Sequence, residues 1–122
     1  MTPHPHSIGR DQKLATAHEM MRRHGIRHLP VLEGGRILGL VSLRDLHLVE
    51  TLPDVDPAKV TVEEAMAQDP YVVPPSTLLV DLARTMAEHK YGSAIVAEGA
   101  HVIGVFTTVD ALRALADCLV RT

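Results

Sequence analysis

The chain matches itself without a gap when it is shifted by 65 residues. The shift aligns turn glycines, apolar positions and acidic positions: Val31 with Val96, Gly34 with Gly99, Gly39 with Gly104, and Asp45 with Asp110. Chance would not keep these residue types in one register. We therefore interpret the 122 residues as two copies of one supersecondary unit, which a repeat of this length indicates.

Each copy predicts the element order β-α-β-β-α. An extended piece between prolines comes first, and a helix follows, capped by Asp11 in the first copy and by Ser76 or Thr77 in the second. A hairpin with glycine in its turn comes next, and a second helix ends the unit. The predicted hairpin strands are 28–32 with 36–41 and 93–97 with 101–106, and the predicted closing helices are 43–51 and 108–120.

We place the first repeat at 1–52, a linker at 53–60 and the second repeat at 61–122. Two prolines and two aspartates mark the linker. Thr61 and Glu64 have the spacing of a capping box at the start of a short helix. One such unit leaves an apolar sheet face open, so we expect an α/β (α+β) fold in which two units pack sheet to sheet with pseudo-two-fold symmetry.

Composition excludes several classes of protein. A net charge of −3 and 2% aromatic residues argue against nucleic-acid binding, which needs clustered cations or stacking rings. The chain has no apolar run long enough for a membrane span, and its Pro-rich start is unlike a signal peptide. The single cysteine forms no internal disulfide, so we expect a cytoplasmic location.

Three segments carry a resemblance to a known family. Residues 25–31 read Gly-Ile-Arg-His-Leu-Pro-Val, residues 39–46 read Gly-Leu-Val-Ser-Leu-Arg-Asp-Leu, and residues 104–110 read Gly-Val-Phe-Thr-Thr-Val-Asp. The start, Met-Thr-Pro-His-Pro, resembles the family's lead-in. Together they resemble the cystathionine β-synthase (CBS) domain, of which a tandem pair is called a Bateman module.

The resemblance implies a regulatory module rather than an enzyme. Such pairs commonly bind AMP, ADP, ATP or S-adenosylmethionine between the two domains, and they usually form homodimers through their helices. The resemblance therefore predicts an adenosine-containing ligand and a regulated protein that the sequence does not identify. The alternatives are a dimeric protein-interaction scaffold without a ligand, and a module that binds another small molecule in the same cleft.

Ser42 and Asp45 have two interpretations. They follow a buried strand at a helix start, where unpaired N–H groups favour an oxyanion and a carboxylate suits a ribose diol. The same Ser-x-x-Asp spacing is also an ordinary helix cap. Thr107 and Asp110 repeat the spacing in the second copy, and both interpretations remain open for each pair.

The family's clefts combine residues of both repeats, and this implies two unequal sites. Arg27 suits a phosphate. The second copy has no basic residue at the positions that correspond to Arg27 and His28. One predicted cleft uses Ile8, Ile26, Arg27, His28, Thr107 and Asp110. The other predicted cleft uses Ser42, Asp45, Val73, Tyr91, Gly92 and Ser93.

Metal binding and catalysis have no support in the sequence. The eight histidines follow no metal-ligand spacing, so we interpret them as surface residues. Cys118 has no patterned base, and no serine lies in a nucleophile-elbow sequence. We therefore predict no catalytic residue, no metal site and no cofactor other than the regulatory ligand.

Overall fold

The computed structural model describes residues 5–120, which form five helices and seven strands in two compact units. The first unit is His6–Pro70, and the second begins at Tyr71. Residues 1–4, and with them most of the predicted lead-in, lie outside the described residues, as do 121–122. Within the described part, no helix is both long enough and apolar enough to cross a membrane.

The first unit contains three helices and a four-stranded sheet. Its elements are β1 (Ile8–Gly9), α1 (Leu14–His24), β2 (His28–Glu33), β3 (Arg36–Ser42), α2 (Leu43–Glu50), α3 (Val62–Ala65) and β4 (Ala67–Gln68). The strand order is β1-β2-β3-β4; β1 runs parallel to β2, and the remaining neighbours are antiparallel. Its core is aliphatic and buries Ile8, Leu14, Ala17, Met21, Leu29, Val31, Val41, Leu46 and Val62.

The second unit repeats this arrangement with a three-stranded sheet of order β5-β6-β7. Its elements are β5 (Val72–Val73), α4 (Leu79–His89), β6 (Ser93–Glu98), β7 (His101–Thr107) and α5 (Thr108–Val120). Its core buries Val73, Leu82, Met86, Ala94, Val96 and Phe106. No side chain of α5 is buried, so the closing helix contributes less to this core than α2 does to the first.

The two copies agree in detail. Helix α4 and strands β6 and β7 lie 65 positions after α1, β2 and β3, residue for residue. Even the hairpin irregularity recurs, between Val31 and Leu32 in one copy and between Val96 and Ala97 in the other. The predicted mixed α+β fold and the two hairpins are therefore confirmed.

The compact units divide the chain at a different point from the predicted repeats. Helix α3 and strand β4 belong to the first unit because β4 pairs with β3, with Gly39 opposite Gln68. The predicted short helix after Thr61 is present, and the Glu64 carboxylate accepts from the Thr61 N–H at 2.9 Å. The start of the second repeat thus completes the first unit's sheet.

The predicted cap of α1 is wrong. The N-cap residue is Lys13, whose side chain makes no capping hydrogen bond, and Asp11 lies in the preceding turn. The predicted linker supplies the acceptors instead: the N–H of Leu14 donates to the Val60 carbonyl at 2.9 Å, and that of Ala15 to the Pro57 carbonyl at 3.0 Å. These backbone bonds satisfy donors that a capping side chain would otherwise take.

The predicted cap of α4 is also wrong, since the N-cap residue is Leu78 rather than Ser76 or Thr77. Helices α1 and α4 both end in the left-handed region, at Gly25 in the first unit and at Lys90 in the second. The prediction of Gly25 as the C-cap is confirmed, and its φ of 64° suits glycine. Lys90 adopts a φ of 59° although it carries a β-carbon.

Candidate functional site

The start of β2 and the start of α2 lie side by side in the first unit. The N–H of Leu43, the first residue of α2, donates to the Arg27 carbonyl at 2.9 Å. His28 opens β2 and pairs with Ser42, the last residue of β3. These contacts bring Arg27, His28 and Ser42 together at one end of the β2–β3 strand pair, next to the N-terminal end of α2.

Ser42 and Asp45 cap α2 reciprocally. The Asp45 carboxylate accepts from the Ser42 N–H at 2.9 Å, and the Ser42 hydroxyl oxygen accepts from the Asp45 N–H at 3.1 Å. The helix-cap interpretation is therefore confirmed for this pair. A hydroxyl that accepts through its oxygen still has its hydrogen to donate, so the cap leaves Ser42 able to bind an anion.

A groove of about 610 Å³ opens at this end of the strand pair, and we call it the first-unit groove. Four of its side chains are basic or imidazole groups, and no carboxylate lines it. It is lined by Arg27, His28, Ser42, Leu43, Arg44, His47, Leu48 and Thr51.

Nearby acids do not neutralise the two arginines. Among residues 5–120, neither Arg27 nor Arg44 forms an ion pair with a carboxylate. Asp45 is held in the helix cap, and Glu50 lies 3.2 Å from the Nδ1 atom of His18. The first-unit groove thus presents positive charge beside the N-terminus of α2, an arrangement that attracts an anion.

The second unit caps its closing helix in a related way. The Asp110 carboxylate accepts from the Thr107 N–H at 2.9 Å and from the Thr107 hydroxyl at 3.2 Å. Because that hydroxyl donates within the cap, it is less available to a ligand than the hydroxyl of Ser42.

A second groove, of about 590 Å³, lies between α4 and α5, and we call it the second-unit groove. It is largely apolar, with Lys90 as the charged group in its lining. It is lined by Ala83, Met86, Ala87, Lys90, Tyr91, Gly92, Thr108, Ala111, Leu112 and Leu115. The predicted residues Tyr91 and Gly92 therefore lie in apolar surroundings, and the Tyr91 ring contacts the rings of Tyr71 and His89.

The remaining predicted residues have different environments. Ile8 and Val73 are buried in the cores of their own units. Ile26 is half-buried and lines a smaller cavity of about 380 Å³ together with Arg27. Ser93 is half-buried at the start of β6. The combination of residues from both repeats in one cleft stays a prediction.

The sequence argument missed Leu43 and Leu48 of the first-unit groove and also three polar residues: Arg44, His47 and Thr51. Their spacing of three and four residues places them on one face of α2 and its end. The helix predicted at 43–51 already implied that these three residues share one face. Among the described residues, no three histidine, cysteine or acidic side chains are grouped to hold a metal ion.

Comparisons with known proteins agree with the fold. The family model described as "CBS domain" matches residues 1–49 and 62–117. A crystal structure described as "a putative acetoin utilization protein (AcuB) from Vibrio cholerae" has 30% identity and a TM-score of 0.75, with 98% of this chain and 88% of that chain covered. A structure of CBSX2 in complex with AMP has 26% identity and a TM-score of 0.74, with 96% and 93% covered.

A curated relative shows that similar sequences also occur inside larger proteins. Inosine-5'-monophosphate dehydrogenase from Korarchaeum cryptofilum is 29% identical over 105 residues, which are 85% of this chain and 21% of that protein. The chain therefore spans about a fifth of this relative's length. Two matches to one family model, which together cover most of the chain, show that it belongs to the CBS domain family as a tandem pair.

Proposed function

We propose that this CBS pair is a regulatory module that binds an adenosine-containing nucleotide and passes its bound state to another protein. The observation that carries the proposal is the first-unit groove, where Arg27, His28 and Ser42 lie together beside the start of α2. An arginine fork and a helix N-terminus both favour a phosphate. The solved relative that holds AMP supports an adenine nucleotide as the ligand.

The composition bears on the expected affinity. The chain has few aromatic residues, so adenine would be held mainly by aliphatic side chains and backbone groups. A nucleotide of about two dozen non-hydrogen atoms, at about −0.3 kcal/mol each, gives roughly −7 kcal/mol. This free energy corresponds to a dissociation constant in the micromolar range.

Calorimetric titration of the purified chain with AMP, ADP, ATP and S-adenosylmethionine tests the proposal. We expect at least one of them to bind. Arg27→Ala should lower the affinity for a phosphate-bearing ligand by about tenfold, because it removes a charge-assisted contact. Arg36→Ala is the matched control, since it removes an exposed arginine from the far end of β3. Absence of binding by all four ligands at millimolar concentration would refute the proposal.

A dimeric scaffold without a ligand remains the second candidate, and one observation favours dimerisation. Helix α5 exposes more than half of each of Val109, Leu112 and Leu115. These residues follow helical spacing and form an apolar stripe, of which Leu112 and Leu115 also line the second-unit groove. We propose that a second copy of the chain covers this stripe in a homodimer.

Sedimentation velocity distinguishes the two candidates when it is combined with the titrations. Leu112→Asp should convert the dimer to a monomer, because an exposed apolar contact becomes a buried charge. Arg27→Ala, in the first-unit groove, should weaken nucleotide binding while the dimer persists. A dimer that binds none of the nucleotides would favour the scaffold, and a monomeric unmodified chain would refute the dimer.

A further inference from the structure

The two units differ systematically at the positions that line the first-unit groove. Its basic and imidazole residues are Arg27, His28, Arg44 and His47, and the 65-residue shift aligns them with Gly92, Ser93, Val109 and Leu112. Every cation or imidazole of the groove is therefore replaced by a small or apolar residue in the second unit. Since β6, β7 and the start of α5 lie 65 positions after β2, β3 and the start of α2, the difference at these positions lies in the chemistry of the side chains.

The positive charge continues beyond the start of α2. Arg44 and His47 both line the first-unit groove, three residues apart on the exposed side of the helix. The groove continues to Thr51, and at 1.5 Å per residue the distance along the helix from Arg44 to Thr51 is roughly 10 Å. The Thr51 hydroxyl donates to the Leu48 carbonyl at 2.7 Å, so the basic groups rather than this hydroxyl would bind an anion.

The groove is also large enough for more than one anionic group. Arg27 and His28 lie at the β2 end, whereas Arg44 and His47 lie on α2. A chain of phosphates would reach both sets of donors, whereas a single phosphate would reach one of them. No carboxylate is part of the lining, and Asp45, the acid at the start of α2, is held in the helix cap.

We propose that Arg44 and His47 form a subsite for the second and third phosphates of a nucleoside di- or triphosphate. The inference rests on the proposed function and deepens it, because it selects a polyphosphate ligand over AMP. Arg44 and His47 would then determine specificity, and Arg27, His28 and Ser42 would bind the first phosphate.

Calorimetry with AMP, ADP, ATP and inorganic pyrophosphate tests the subsite. The unmodified chain should bind ADP or ATP about tenfold more tightly than AMP, with an affinity that falls as salt is raised. Arg44→Val and His47→Leu introduce the residues of the second copy. Either change should lower the affinity for ADP and ATP by about tenfold and leave the affinity for AMP within about twofold of its original value. Arg113→Ala, on exposed α5, is the matched control and should change none of these affinities.

The outcomes separate this inference from the proposed function. Equal affinities for AMP, ADP and ATP would overturn the subsite while nucleotide binding stands. Equal losses of affinity for AMP and for ADP in Arg44→Val would also overturn it, because the residue would then act on the first phosphate or on folding. If no nucleotide binds, pyrophosphate decides: binding that Arg44→Val abolishes supports the subsite alone, and no binding at millimolar concentration overturns it.

Discussion

The carbonyl oxygen of Ala67 lies 2.6 Å from the position that a β-carbon on Gly39 would occupy. The Met66 sulfur is equally close to that position. Gly39 pairs with Gln68, so the glycine allows β4 to lie against β3. This close approach lets the segment after α3 complete the first unit's sheet.

Gly39→Ala should therefore destabilise the first unit. A β-carbon would push against backbone and against Met66, and we expect the free energy of unfolding to fall by about 1–3 kcal/mol. Urea denaturation followed by circular dichroism measures the change. Gly92→Ala is the control, because no atom lies within 4 Å of its added β-carbon. Equal stability of the two variants would contradict the role of the close approach.

Lys90→Gly should stabilise the chain. Lys90 adopts a φ of 59°, where a β-carbon costs about 1 kcal/mol that glycine avoids. The reciprocal change, Gly25→Ala, should destabilise by a similar amount, because its β-carbon meets no atom and introduces strain alone. Thermal denaturation of both variants should show shifts of opposite sign. A lower melting temperature for Lys90→Gly would contradict the argument.

Ser42→Ala should lower the free energy of unfolding by about 1 kcal/mol, because it removes the acceptor for the Asp45 N–H at the start of α2. Thr107→Ala removes the equivalent acceptor for Asp110 and should give a similar loss. Chemical denaturation without ligand isolates this contribution from any effect on binding. No loss in either variant would show that the caps add little to stability.

Leu46→Ala should destabilise the first unit by about 2–5 kcal/mol, because Leu46 is fully buried and its truncation leaves a cavity. Leu48→Ala, two residues along the same helix, is the matched control with 58% of Leu48 exposed. We expect the control to change the denaturation midpoint little. Equal effects of the two truncations would contradict the assignment of α2's inner face.

The pKa of Glu19 should lie below its ordinary value, because the Arg22 side chain donates a hydrogen bond to it and adds positive charge. A lowered acid pKa contributes stability above the ordinary pKa, and that contribution is lost as the pH falls through the lowered value. An NMR titration of the Glu19 carboxyl measures the midpoint. Arg22→Gln should raise it toward the ordinary range, and an unchanged midpoint would contradict the pairing.

Much of the fold could be predicted because the relevant interactions are local or repeated. Turn glycines between apolar strands predicted both hairpins, and Gly25 predicted the end of α1. The spacing of Ser42 and Asp45 predicted their reciprocal cap. These features depend on residues within a few positions of each other, which a single sequence displays.

The wrong cap of α1 has a long-range physical origin. Asp11 has the chemistry of a cap, but the carbonyls of Pro57 and Val60 reach the first amides of α1 across more than forty residues. The candidate site shows the same limit, since Arg27 is predictable by resemblance whereas its place beside Arg44 and His47 depends on a strand and a helix meeting.

The sequence by itself determined the duplication, the element order and the family, because a repeated hydrophobic and glycine pattern constrains each copy independently. The tertiary structure alone decided that β4 completes the first unit and that four basic or imidazole side chains share one groove. Both depend on distances between residues far apart in the chain, and those distances arise only when hydrogen bonding and core packing fix the elements against one another.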